Sequence, residues 1–227
     1  MAPFYAYIVN VADEGTWRLL AIFANCAVAD EWWRAVSTSS FSQSVSRVSP
    51  QFYTHDASKF NMFDFFYNST SKPLADNFRG RMLITLINDR GGRDMPIIPS
   101  QDITDNINGG GYYIRSISNR ASCWYYDAQI NAIRLSDTER TRFRVAICDG
   151  CLPEGTIMVG EDRVSLCIGD QHVCVEKSGQ LTAGAGDLGD FRLCELESAS
   201  FDIKDGTVVY AGSNASSLKQ ARWELAC

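Results

Sequence analysis

The chain has 227 residues, with 21 Lys+Arg against 27 Asp+Glu and a formal net charge of -6. An apolar fraction of 45% and a charged fraction of 21% suit a globular chain with a buried core and exclude disorder, collagen and coiled coil. The acidic balance without basic clusters argues against a nucleic-acid partner, and no apolar run approaches the roughly 20 residues of a membrane-spanning helix.

At roughly 150 residues per domain, this length means one large domain or two small ones. In the first half, Phe4–Val9 and Trp17–Phe23 read as strands, rich in aromatic and β-branched residues, with Asp13-Glu14-Gly15 as turn chemistry between them. Apolar residues at 28, 29, 32, 33 and 36 have helical spacing and predict a helix over 27–37. Asn25 is its N-cap, and Asp30 and Glu31 are expected in its first turn. Arg47–Thr54, Asn61–Tyr67 and Arg81–Ile87 follow as strands. A helix with several strands of mixed length predicts an α+β domain over 1–107.

After Gly109 there is no helical run. Short strands alternate with turns, and three similar strands close successive stretches: Arg142–Ala146, Asp190–Cys194 and Arg222–Ala226. In each, an aromatic and an aliphatic residue share one face. At about 40 residues per stretch, three fill 110–227.

The opening Gly110-Gly111-Tyr112-Tyr113-Ile114-Arg115-Ser116, then Ser122-Cys123-Trp124-Tyr125-Tyr126-Asp127 and Ala132-Ile133-Arg134-Leu135, resembles the β-trefoil modules of fungal ricin-B-like lectins and the related mycocypin protease inhibitors. The resemblance covers about half the chain. It departs from the lectins in lacking their closing Gln-x-Trp: Gln220 stands at the wrong spacing from Trp223, and the first two stretches close with Phe143 and Phe191. No family is recognised for residues 1–109. The resemblance implies a β-trefoil over 108–227 and, as its leading function, glycan binding of a defence or storage type. Its rival implication is protease inhibition through an exposed loop, with Gly150–Gly155 and its Pro153 as the loop to test.

A pyranose needs an apolar plate for its C–H face and carboxylate or amide groups for its hydroxyls. Asp127 with Trp124, Tyr126 and Asn131 falls where ricin-B-like lectins place such a set, and is the expected carbohydrate site. The ordinary reading of the same residues is two core aromatics and a turn.

The cysteines are uneven: Cys26 alone, then Cys123, Cys148, Cys151, Cys167, Cys174, Cys194 and Cys227. No leader is read at the start of the chain, so a cytoplasmic location is expected, with most thiols reduced and buried. Cys26 with His55 is a candidate nucleophile pair for a cysteine-dependent hydrolase. Cys148-Asp149-Gly150-Cys151 has metal-ligand spacing, with His172 and Cys174 as the nearest further ligands, and Asp102 and Asp105 offer carboxylates for calcium. Neither set has a standard spacing, so no metal and no cofactor is expected. The sequence reading is an α+β unit, serving oligomerisation (a homodimer) or an effector role, joined to a β-trefoil whose partners are glycans or glycoproteins.

Overall fold

The computed structural model describes residues 3–12, 18–87, 105–150, 152–184, 189, 191–198, 200–212 and 221–227. The chain divides into two compact units, Met1–Asp105 and Asn106–Cys227.

The first unit is a five-stranded sheet of β1 (Phe4–Asn10), β2 (Arg18–Phe23), β3 (Val45–Ser49), β4 (Phe52–His55) and β5 (Met82–Leu86) in the order β3-β4-β1-β2-β5. Strands β1 and β4 are parallel, with Asn10 opposite His55; the other neighbours are antiparallel. Strict alternation puts Phe4, Ala6 and Ile8 of β1 and Leu19, Ala21 and Phe23 of β2 into one buried face. The helix α1 (Cys26–Ser37) buries Val28, Ala29, Trp32 and Val36, the i, i+3, i+4 stripe that its spacing dictates. Its N-terminus is closed as expected: the Asn25 side chain accepts from the Val28 amide at 3.0 Å. Because α1 begins at Cys26, Asp30 lies beyond the first turn.

Two strand expectations change. Arg47–Thr54 is two strands, broken at Pro50 and Gln51, since Pro cannot donate to a ladder. Asn61–Tyr67 contains instead a short 3-10 turn at Met62–Asp64, capped by the Asn61 side chain. A second short helix, α2 (Lys72–Asp76), carries Pro73 in its opening turn.

The second unit is an eleven-stranded sheet. Its strands are β6 (Gly111–Ser116), β7 (Cys123–Asp127), β8 (Ala132–Ser136), β9 (Phe143–Ile147), β10 (Arg163–Ile168), β11 (Gln171–Val175), β12 (Leu181–Gly184), β13 (Phe191–Arg192), β14 (Phe201–Lys204), β15 (Thr207–Tyr210) and β16 (Trp223–Ala226). The main path is β12-β11-β10-β9-β6-β7-β8-β15-β14, with β13 on β10 and β16 on β6. One short helix, α3 (Cys194–Glu197), interrupts the strands. Phe143, Phe191 and Trp223, the aromatics of the three closing strands, are buried in one cluster with Trp124 and Phe201.

The expected fold class, an α+β domain followed by a β-trefoil, does not stand. The chain is mostly β, 43% strand and 15% helical, and the first part is itself β-rich. One long helix dominates the first half's sequence pattern, but the hydrogen-bonded frame beneath it is a sheet. Among the described residues no helix is long and apolar enough to cross a membrane.

Candidate functional sites

The expected carbohydrate site loses its plate. Trp124 is 0% exposed and packs edge-on against Phe143, Phe201 and Trp223 at centroid distances of 6.3, 5.2 and 5.4 Å. It is a core residue, because its position on β7 shares the inward face with Ile133 of β8. Tyr126 is half-buried, and its hydroxyl donates to Asn131 Oδ1 at 3.1 Å. The same oxygen accepts from the Ala183 amide at 3.1 Å. Asn131 itself has φ +50°, the left-handed conformation that Asn tolerates, and closes the β7–β8 hairpin. Asp127 accepts from the Gln129 amide at 3.0 Å and faces Arg134 at 3.6 Å. The polar groups chosen for a sugar are therefore engaged in holding a hairpin.

The pair Cys26 and His55 is not brought together. The β1 register sets Phe4 opposite Phe23 and Asn10 opposite His55. Cys26 follows Phe23, which lies opposite the start of β1, whereas His55 lies opposite its end. His55 is buried, and its Nδ1 lies 3.3 Å from both the Phe60 carbonyl and the Met62 amide. Burial lowers its pKa, with the Phe60 carbonyl opposing. It braces a turn as a neutral imidazole.

Cys26 Sγ donates to Asp30, one helical turn on, at 4.0 Å. Asp30 belongs to an ionic cluster that the sequence does not announce. The Arg47 side chain, 3% exposed, donates from Nη2 to Asp30 at 2.8 Å and to Asp105 at 2.6 Å, and its guanidinium lies 5.6 Å from the Tyr53 ring centroid. Burial pushes Asp30 up to about 6 against the opposing pull of Arg47, and raises Asp105 and Tyr53 for the same reason. Among the described residues, Arg47 Nε and Nη1 and the Tyr53 hydroxyl have no hydrogen-bond partner. The signal was parity: Arg47 alternates with Val45, whose side chain is buried.

The metal readings find no support in the residues that are described. Cys151 and Asp102 lie outside them, and Asp105 is committed to Arg47. His172 meets Cys167 rather than a set with Cys174, and no group of three or more metal-ligating side chains occurs among the described residues.

The loop after β9 is built more firmly than its sequence suggests. Asn108, buried, donates from Nδ2 to the carbonyls of Leu152 and Pro153, both at 3.1 Å, and accepts from the Ile147 amide at 2.8 Å. Its main chain takes the Gly155 amide at 3.0 Å and donates to the Thr156 carbonyl at 2.7 Å. Thr156 N–H returns to the Pro153 carbonyl, closing a β-turn with Gly155 at φ +82°, a conformation that favours glycine. Arg144 pairs with Glu154. Pro153, Glu154 and Gly155 remain exposed. One buried amide thus fixes the loop Leu152–Gly155 from behind. Pro153 marked the loop in the sequence. Asn108, 44 residues from Leu152, did not.

Comparison with family models, with curated proteins and with solved structures finds no match for this chain.

Proposed function

We propose that the second unit is a protease inhibitor acting through Leu152–Gly155. The observation that supports this is the Asn108 brace: a single buried side chain holds two consecutive carbonyls of an exposed loop. A peptide that inhibits a protease must enter its cleft in a fixed backbone shape and resist rearrangement there. Rigidity fixed before binding lowers the ordering cost of association. Pro153 restricts φ and adds to that rigidity. Leu152, half-buried, is the apolar side chain available to a specificity pocket.

The test is inhibition of a panel of serine, cysteine, aspartic and metallo endopeptidases by the full chain. Asn108→Ala should weaken inhibition of the responsive protease by at least about tenfold, the equivalent of one charge-free hydrogen bond or more, and should expose the loop to cleavage. A parent protein that inhibits none of the panel, or an Asn108→Ala variant that inhibits equally well, ends this reading. A glycan array on the same preparation is the parallel arm: binding abolished by Asp127→Ala would return the function to carbohydrate.

A further inference from the structure

A second chemical pair lies on the outward face of β9, β10 and β11. Cys167 and His172 are directly opposed across the β10–β11 hairpin, and Cys167 Sγ lies 3.3 Å from His172 Nδ1. The two-residue turn Gly169-Asp170 fixes this register, with Gly169 at φ +56°. On the other side of Cys167, the β9–β10 register places Arg144 opposite it. Guanidinium, thiol and imidazole therefore form a row across three strands. Cys167 is 8% exposed, while His172 is open to solvent. Burial pushes the Cys167 thiol up and Arg144 opposes it, so the resting pair is a neutral thiol beside an imidazole.

We infer that Cys167 and His172 form a thiol–imidazole pair that reacts with peroxides, making Cys167 a site of oxidative modification. A nucleophile within hydrogen-bond reach of a base is the arrangement that activates cysteine. His172 takes the thiol proton, and the thiolate sulfur attacks one peroxide oxygen. The S–O bond forms as the O–O bond breaks. The leaving hydroxide takes the proton from His172, giving sulfenic acid and water. Sulfur loses two electrons and the peroxide gains them. Arg144 faces the transient thiolate and stabilises its charge. This inference does not depend on the inhibitory reading of Leu152–Gly155.

The chain offers its own control. Cys123 is also 8% exposed, and the chain has only two histidines, the other being His55 in the first unit. The full protein would be treated with hydrogen peroxide and a 1,3-dione that traps sulfenic acid, and each cysteine followed by peptide mass mapping. Cys167 should be labelled at least about ten times faster than Cys123, and His172→Asn should lower that rate by about tenfold or more. Because His172 is exposed on a hairpin, unchanged slow labelling of the buried Cys123 and Cys174 in the variant reports an intact fold. Labelling of Cys167 no faster than Cys123, no labelling of Cys167, or a rate indifferent to His172→Asn overturns the inference.

Discussion

The two units bury different things. Within the first, Tyr7, Trp32, Arg47, Ser49, Tyr53 and His55 all place a polar side-chain atom in the interior without a hydrogen-bond partner among the described residues, and an ion cluster joins α1 to β3. Within the second, the centre is an aromatic plug of Trp124, Phe143, Phe191, Phe201 and Trp223. Among the described residues of that unit, Trp124, Trp223 and Arg134 leave such an atom unpaired. The first unit thus adds to its own apolar core a set of buried charges that fails when one partner is removed and another is stranded. The interior of the second is held by volume and fails when a void opens.

The sharpest way to break this contrast is Arg47→Ala. It leaves Asp30 and Asp105 facing each other in a part-buried site, and should destabilise the first unit by about 3–5 kcal/mol, read as loss of hydrogen-exchange protection in β1–β5. Replacing Asp30, Arg47 and Asp105 together by apolar residues of similar volume should cost far less, because no charge is stranded. If the triple variant is as unstable as Arg47→Ala, the cluster matters for shape rather than for charge.

Trp124→Ala is the counterpart in the second unit. It opens an indole-sized void among three aromatic rings and should cost about 3–5 kcal/mol, with protection lost in β6–β9 and retained in β1–β5. A tolerated Trp124→Ala would mean the plug is not the core it resembles, and would reopen that indole to ligand contact.

The pH response follows from Asp30. Folding raises its pKa from 3.8 to about 6, so the folded unit holds a proton that the unfolded chain has released. Stability from this group is fully present below about pH 4 and is lost as pH rises through about 6. The loss is at most about 3 kcal/mol at 1.36 kcal/mol per unit. His55 acts in the opposite sense: its folded pKa is depressed, so its contribution is present above about 6.5 and falls away in acid. The clean readout is the difference between the parent and Asp30→Asn in denaturant titrations from pH 4 to 7. That difference should favour Asn increasingly as pH rises, whereas a difference independent of pH would show that Asp30 does not titrate there.

The smallest effect expected is at Asn25. Asn25→Ala frees the Val28 amide and should cost about 1 kcal/mol, a shift in the denaturation midpoint confined to the first unit. The N-cap, the stripe of α1 and the edges of β1 and β2 were readable because each is a local pattern, completed within a dozen residues. The Arg47 cluster was not, because its parts lie 17 and 58 residues apart and an arginine in a short strand reads first as a solvated edge residue. The sugar site misled for a related reason. Trp124 and Tyr126 alternate on one face of β7, but only the strands packed over that face decide that the first is enclosed and the second reaches the rim. The two cysteine–histidine pairs teach the same lesson. Cys26 and His55 share only a half of the sequence, whereas Cys167 and His172 are joined by a hairpin register that five residues of sequence already imply.

The pairing of β16 with β6 has a consequence for synthesis. All five strands of the first sheet lie within Phe4–Leu86, so that unit can close while the second is still being made. In the second unit, β6 waits for a partner more than a hundred residues downstream, with Trp223 opposite Ser116. At translation speeds of about 5–20 residues per second, that wait is roughly 5–20 s. During it, one flank of β6 lacks its strand and the aromatic plug lacks Trp223. The nascent second unit is thus the stretch of this chain that most needs shielding on the ribosome, and a stalled or truncated product ending before Trp223 should be the form that chaperones retain.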